Sequence, residues 1–422
     1  MSKSSEISGF YKLGVDERLE IVKDFADLED KEVSLLKKTG TLDLEKADKM
    51  IENVIGTLEL PLGVAVNFRI NEKDYLIPMA IEEPSVVAAA SNAAKMARDK
   101  GGFETESTPP HMIGQIQVTN LEDIEKAKKA IEENKEEILE LANEQDPVLI
   151  KLGGGAEDLE LREIDTQRGP MLIIHLIIDT RDAMGANVVN TMAEAVAPMI
   201  ERITGGRVYL RIVSNLATHR LARAKAVFSK EALGGEEVVD GILEAYAFAA
   251  ADPYRCTTHN KGVMNGIIAL ALATGNDTRA LESGAHSYSA IEGNYKPLTK
   301  WEKDEEGNLT GEIEVPVAVG IIGGATKVNP IARISLKILG VESAKELGEV
   351  MAALGLAQNL AALRALSAEG IQSGHMRLHA RNVATTAGAE GELADKVANR
   401  LIEEGQINVE RAKEILNELT KK

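Results

Sequence analysis

Between Met112 and Val213 the hydrophobic period switches repeatedly, and the order of the switches admits few folds. Ile113 to Thr119 alternates as a strand, and Leu121 to Asn143 repeats at helical spacing. Leu159 to Ile164 and Met171 to Thr180 return to strand character. Gly185 to Ile203 is helical again, and Val208 to Val213 is a strand. A period near 3.6 marks a helix and a period of 2 marks a strand. The series therefore reads β-α-β-β-α-β, a split βαβ unit. Helical segments flank it on both sides, so it reads as a domain inserted into another.

The flanks carry their own signals. Asp16 to Leu28 and Leu42 to Val54 have apolar residues at helical spacing. Glu59 to Ile70 and Tyr75 to Ala80 surround Asn71-Glu-Lys-Asp74 and predict a β-hairpin. An Ala-rich helix follows Glu82-Glu-Pro-Ser85, with Pro84 suited to its first position and Glu83 at its mouth. After Ser214 the chain reads as helices with Gly-rich joints: Lys230 to Ala251, Gly262 to Ala273 and Ala344 to Leu366, with a hairpin at Leu298 to Ile313. Beyond Gly374 lie three short helical patterns. The expected units are 1–110 and 215–373 for a large domain, 111–214 for the insertion and 374–422 for a C-terminal helical flap.

At 422 residues the chain is long enough for two or three domains. Its formal charge is −19, from 48 basic and 67 acidic side chains. That argues against a nucleic-acid backbone as partner but leaves room for a local basic pocket. The lone cysteine, Cys256, excludes an internal disulfide and a multi-cysteine zinc site. No signal core is visible, and no apolar stretch reads as a membrane span, so a cytoplasmic protein with no membrane partner is expected.

No G-x-G-x-x-G follows a strand and no Walker A loop is present. The chemistry must come from less standard constellations. Asp182-Ala-Met-Gly-Ala-Asn187 opens the second inserted helix. It can serve as an N-cap through Asp182 or as an anion site on free N–H groups. Asp252 to Gly266 gathers Arg255, His259, Asn260, Lys261 and Asn265, either as a solvated loop or as a donor cluster, with Asp277 one short helix later. His375 and His379 have helical metal-ligand spacing, but Met376 stands where a zincin has glutamate.

Taken together, nine segments resemble the class II 3-hydroxy-3-methylglutaryl-CoA (HMG-CoA) reductases. They are Glu52-Asn-Val-Ile-Gly-Thr57, Glu82-Glu-Pro-Ser85, Asp182-Ala-Met-Gly-Ala-Asn187, Ser214-Asn-Leu216, Asp252-Pro-Tyr-Arg255, His259-Asn-Lys-Gly262, Thr274-Gly-Asn-Asp277, Gly323-Gly-Ala-Thr326 and Gly374-His-Met376. They follow the family order over nearly the whole chain.

The resemblance implies an α+β fold: a large, mainly helical substrate domain, an inserted ferredoxin-like domain for the dinucleotide and a C-terminal flap. It implies the interconversion of HMG-CoA with mevalonate and free CoA through mevaldyl-CoA and mevaldehyde, using two nicotinamide cofactors. It also implies a homodimer, or a higher oligomer of dimers, with the active site at the interface. By motif, the catalytic set is Glu83, Lys261, Asp277 and His375, with Asp277 holding Lys261. Ser85, Arg255 and Asn265 would hold the HMG group. Asp182, Met184, Gly185, Ala186, Asn187 and Asn215 would bind the cofactor. Asp146 would select NAD(H), with NADP(H) possible, because a carboxylate accepts from a ribose 2′-OH and repels a 2′-phosphate. By position alone Asp146 is equally a solvated charge at a helix end. Tyr11 departs from the family, where a relative has a basic residue for the CoA phosphates. Two other classes stand beside this reading. One is a silent acyl-CoA or nucleotide binder on the same scaffold, and the other is a hydrolase using a metal on His375 and His379.

Overall fold

The computed structural model describes residues 3–324, 328–368 and 380–420. His375, His379, the Gly374-His-Met376 motif and Thr326 lie outside the described residues. Ten strands form two sheets. They are β1 (Leu62–Ile70), β2 (Lys73–Ala80), β3 (Phe103–Ser107), β4 (His111–Thr119), β5 (Gly155–Thr166), β6 (Gly169–Asp179), β7 (Arg207–Ser214), β8 (Leu221–Phe228), β9 (Thr299–Lys303) and β10 (Leu309–Pro316).

The four-stranded sheet has the order β5-β6-β4-β7 and is antiparallel throughout. The connection from β4 to β5 passes over β6, as a split βαβ unit requires. Helices Ile124–Glu133, Lys135–Asn143 and Ala186–Thr204 cover one face. The core follows from the two periods. Leu172, Ile174, Leu176 and Ile178 alternate inward from β6 and meet Val189, Met192, Val196 and Ile200 from one stripe of the helix. The expected single helix over Leu121 to Asn143 is broken at Asn134, whose backbone leaves the helical region at φ −111, ψ 14.

The six-stranded sheet has the order β2-β1-β3-β8-β10-β9. Its hairpin turn, Asn71 at φ 46 and Glu72 at φ 65, is left-handed at both positions, as a two-residue turn between twisted strands requires. The sheet also contains two strands the periodicity did not predict, β3 and β8. In β8, Leu-Ala-Arg-Ala-Lys-Ala-Val-Phe, the buried positions are mostly alanine, so alternation is present but a helix former carries it. Pairing with β3 on one side and β10 on the other decides the outcome.

Further departures are local. Leu42 to Val54 reduces to the five-residue helix Leu44–Asp48, and Asn53 follows in a left-handed conformation. Pro84 lies in a turn instead of at the first helical position, because helix Val86–Arg98 starts two residues later. Gly234 and Gly235 split the run from Lys230 into Lys230–Leu233 and Glu236–Ala251. Residues 380–386, Gly391–Glu403 and Val409–Thr420 are helical and share a separate small core.

Helix Ala344–Ala368 runs through the main core, with Leu347, Val350, Leu354, Leu360 and Leu363 fully buried. By length and hydropathy its Ala344–Ser367 stretch could cross a membrane, contrary to the sequence expectation, but 67% of its most apolar window is inside the protein.

Against this core packs helix Pro253–Ala273, which carries a buried histidine. His259 is 1% exposed, and its Nε2 lies 2.7 Å from Thr299 Oγ1. The threonine gives its proton to Asn359 Oδ1, so His259 is the donor and its Nδ1 is left without a partner. Burial, reinforced by the Arg255 charge, pushes its pKa down to about 3. The neutral form is therefore favoured in the folded state, and the unfolded chain takes up the proton first. Stability from this group is complete above about pH 6.5 and falls as pH drops toward 3, by roughly 1.4 kcal/mol per unit. Denaturant titrations at pH 7.5 and 5.0 should show an acid loss about 2 kcal/mol larger in the native sequence than in His259→Gln.

Candidate active site

The helix Pro253–Ala273 begins with Asp252, which caps it by accepting from Arg255 N at 2.7 Å, and with Pro253 at the first position. The polar run is thus helix and not loop. Its inner face takes Cys256, His259, Asn260, Val263 and Met264, and its outer face presents Lys261, with Asn265 one turn on. Asn260 is structural: it donates to Lys296 O at 2.9 Å and accepts from Leu298 N at 2.9 Å. Burial pushes the Cys256 thiol up to about 11, which makes it a poor nucleophile.

Lys261 Nζ donates to Glu83 Oε2 at 2.8 Å. Glu83 comes from the turn between β2 and helix Val86–Arg98, 178 residues earlier in the chain. Beside it, Ser85 holds φ 74 and makes no side-chain cap bond. A non-glycine residue there costs on the order of 1–2 kcal/mol, a strain that clusters at functional sites. Arg255 has no carboxylate partner among the described residues, and burial lowers its pKa. The guanidinium is a partly desolvated cation with its fork free for a carboxylate.

Within one chain Asp277 makes no bond to Lys261. It caps helix Thr278–Ser289, accepting from Arg279 N at 2.9 Å and Ala280 N at 3.1 Å, and its other oxygen accepts from Arg279 Nη2 at 2.8 Å. This geometry points it into a different cavity, a cleft of about 930 Å³. The same cleft is lined by Asp146, Met184, Gly185, Ala186, Asn187 and Gly323. Gly185 stands at φ 97, where a Cβ would lie 2.3 Å from Thr180 Cγ2. The tight turn frees the first N–H groups of the 19-residue helix Ala186–Thr204 for an anion. Asp146 caps helix Pro147–Lys151 with one oxygen, which accepts from Val148 N and Leu149 N. Its second oxygen has no protein partner among the described residues.

Two expected cofactor residues stand elsewhere. Asp182 is a brace: its Oδ1 accepts from Ala344 N at 2.8 Å and its carbonyl from Ile321 N at 3.0 Å. Asn215 is exposed, outside the cleft lining, with its carbonyl packed against Gly284. His111, Glu157 and Asp179 place ligand atoms within 4.8 Å of one another. A 3.0 Å His111–Glu157 pair and the Arg181 N–H on Asp179 account for the arrangement without a metal.

The hydroxymethylglutaryl-coenzyme A reductase family model matches residues 14–380. A 3-hydroxy-3-methylglutaryl-coenzyme A reductase of Archaeoglobus fulgidus is 66% identical over 416 residues, covering 99% of this chain and 95% of that protein. The chain belongs to the hydroxymethylglutaryl-coenzyme A reductase family.

A probable reductase of this family from Borreliella burgdorferi is 37% identical over 342 residues, 79% of this chain and 77% of that protein. Among solved structures, the Streptococcus pneumoniae reductase matches with a TM-score of 0.84 at 40% identity, covering 98% of this chain and 99% of that one. A second Streptococcus pneumoniae structure, described as class II and bound to NADPH in open conformations, has a TM-score of 0.82 at 40% identity and covers 97% of this chain and 100% of that one. As a reductase of this family the chain is an oxidoreductase. Sequence reasoning missed Arg181, Arg279 and Asn276, which also line the cleft. Arg181 and Arg279 lie just outside quoted motifs and Asn276 lies inside one without having been singled out, so proximity to Asp182 and Asp277 was the available signal. It also missed a second cavity, about 1040 Å³, between the N-terminal segment and one face of helix Val86–Arg98. Lys12, Arg18 and Lys95 are its cations, and Tyr11 is part of its wall.

Proposed function

We propose that the chain is a cytoplasmic HMG-CoA reductase that interconverts HMG-CoA and mevalonate plus CoA with two nicotinamide cofactors. The observation that carries the reading is the Lys261–Glu83 pair at 2.8 Å, on a helix that also carries Arg255 without a carboxylate partner among the described residues. Reduction of a thioester carbonyl places negative charge on its oxygen, and a fixed ammonium there stabilises that charge as it develops. Lys261 is suited to this. Glu83, hydrogen-bonded to it, can hold and return a proton to the oxygen of the aldehyde in the second reduction. His375, carried over by motif, would protonate the departing CoA thiolate. Arg255, Ser85 and Asn265 would orient the HMG carboxylate and hydroxyl.

The nicotinamide supplies the hydride, and the cleft around Gly185, Ala186, Asn187 and Asp277 fits its holder. The N–H groups suit a pyrophosphate, and the free oxygen of Asp146 suits a ribose hydroxyl. The cavity along Val87, Ser91, Asn92 and Lys95 would take the CoA arm. Its helix starts at the substrate end, next to Ser85, and rises about 1.5 Å per residue, so ten residues span roughly 15 Å toward Lys95. Lys12, Arg18 and Lys95 would meet the CoA phosphates in place of the basic residue that Tyr11 replaces.

The direct test is absorbance at 340 nm with HMG-CoA: two equivalents of reduced cofactor consumed per mevalonate formed. No consumption, with substrate bound, leaves the silent binder. Loss on chelation would favour the metal hydrolase.

Asp277 and Lys261 share no bond within the chain, which supports a homodimeric site in which the cleft of one copy faces the Lys261–Glu83 pair of the other. Phe248, Tyr254 and Leu272, 59%, 86% and 41% exposed on the helix that carries Lys261 and the helix Glu236–Ala251 packed against it, are apolar surface suited to the contact. Lys261→Met and Asp277→Asn should each be inactive alone. Mixed after co-refolding, they should recover about a quarter of native activity, because half the dimers carry one intact site. No recovery would place both residues in one chain's site.

The carboxylate of Asp146 further supports NADH over NADPH. Asp146→Asn keeps the cap acceptor and removes the charge, so it should narrow the ratio of kcat/KM values for the two cofactors. Equal efficiency with NADPH in the native protein would sink the preference.

A further inference from the structure

Arg220 lies in the return crossing between β7 and β8, where the chain leaves the inserted sheet. The outward crossing runs beside it: Thr108 N donates to Leu221 O at 3.0 Å, and Thr108 Oγ1 to His219 O at 2.9 Å. Arg220 is 4% exposed, yet among the described residues no carboxylate lies within ion-pair distance. Its guanidinium is held by neutral oxygens. Nη1 donates to Thr180 Oγ1 at 3.0 Å, Ala183 O at 3.1 Å and Met184 O at 3.3 Å, and Nη2 donates to Val319 O at 2.5 Å. Burial lowers its pKa to about 10, with Asp179 and Asp182 opposing the shift, so it is charged at neutral pH.

A buried charge without a counter-ion is costly unless its geometry does something a neutral residue cannot. Here it joins two adjacent segments that both line the dinucleotide cleft. Thr180, Ala183 and Met184 belong to the turn from the inserted sheet, and Val319 precedes Gly320 of the larger unit. A Cβ on Gly320 would lie 2.6 Å from Met184 N, so the two backbones touch at this point. The fork of one arginine matches three carbonyls and a hydroxyl across that contact, which a lysine cannot do.

We propose that Arg220 is a positioning residue for the dinucleotide: it locks the Thr180–Met184 turn against Val319, and so fixes where the start of helix Ala186–Thr204 meets the pyrophosphate, while adding a fixed positive charge beneath it. This rests on the reading of the cleft as the nicotinamide cofactor site.

The test uses full-length Arg220→Met, Arg220→Lys and the milder Thr180→Val, which removes one acceptor of the guanidinium. Titrations with NADH and with HMG-CoA, followed by intrinsic fluorescence, give the two affinities separately. In Arg220→Met, NADH affinity should fall about tenfold or more, with HMG-CoA affinity within about twofold, and KM for NADH should rise more than kcat falls. Arg220→Lys should recover part of the loss, and Thr180→Val should show a smaller loss with the same selectivity. If the arginine variants do not fold, Thr180→Val decides. Equal weakening of both ligands, or unchanged NADH affinity in a folded variant, overturns the proposal. Failure of the native protein to bind NADH would instead overturn the cofactor reading beneath it.

Discussion

The carboxylate of Asp182 accepting the N–H of Ala344 is the contact on which the architecture turns. The first N–H groups of a helix have no partner within it and carry partial positive charge, so an anion there is favoured. Here the anion belongs to a different sheet. One bond therefore starts the 25-residue helix at the centre of the main core and ties the Thr180–Met184 turn to it. Ile321 N on the Asp182 carbonyl adds a second tie from the same residue. The inserted unit consequently cannot tilt freely at its two chain crossings. The turn it offers to a ligand is set by the core of the larger unit as well as by its own sheet.

The acidic balance of the chain gives this arrangement its selectivity. With a formal charge of −19, an anionic ligand is repelled by the surface at large. Attraction must come from local positive groups shielded from that field. The structure supplies them as Arg255 on the helix that carries Lys261, as Lys12, Arg18 and Lys95 around one cavity, and as a helix start in the other. CoA and dinucleotides both carry phosphates, so each would find its place through a small basic feature in an acidic background.

What the sequence made legible follows the range of the interactions involved. The inserted unit was readable because its strands and helices bury alternate or 3.6-spaced residues within about a hundred positions, as Leu172 to Ile178 and Val189 to Ile200 do. Strand β8 was not, because alanines at Ala222, Ala224 and Ala226 have no strand preference until β3 and β10 pair with them. Motifs marked the candidate residues, but within one chain two of their carboxylates bond elsewhere than expected. Asp182 is as suited to capping its own helix as another, and nothing local selects Ala344, 162 residues away. Asp277 lies 16 positions from Lys261, but its cap of the next helix turns it toward Arg279. Choices between equivalent partners at long separation are made by tertiary packing, which periodicity does not record.

The division of the catalytic types within one chain also has a physical logic. Lys261 and Glu83 are 57% and 37% exposed in side-chain area, and an ion pair in that setting is screened by water and contributes little. A cation stabilises a developing oxyanion strongly only where water is excluded. In the proposed role the pair would need a cover, and the apolar Phe248, Tyr254 and Leu272 on its helix and the neighbouring one are a surface that a second copy would bury. Such a cover would bring Asp277, at the wall of the partner's dinucleotide cleft, opposite the lysine. A site assembled this way separates the folding requirement from the catalytic one. Each chain would keep its charges hydrated and inexpensive while it folds, and would desolvate them when two finished surfaces meet.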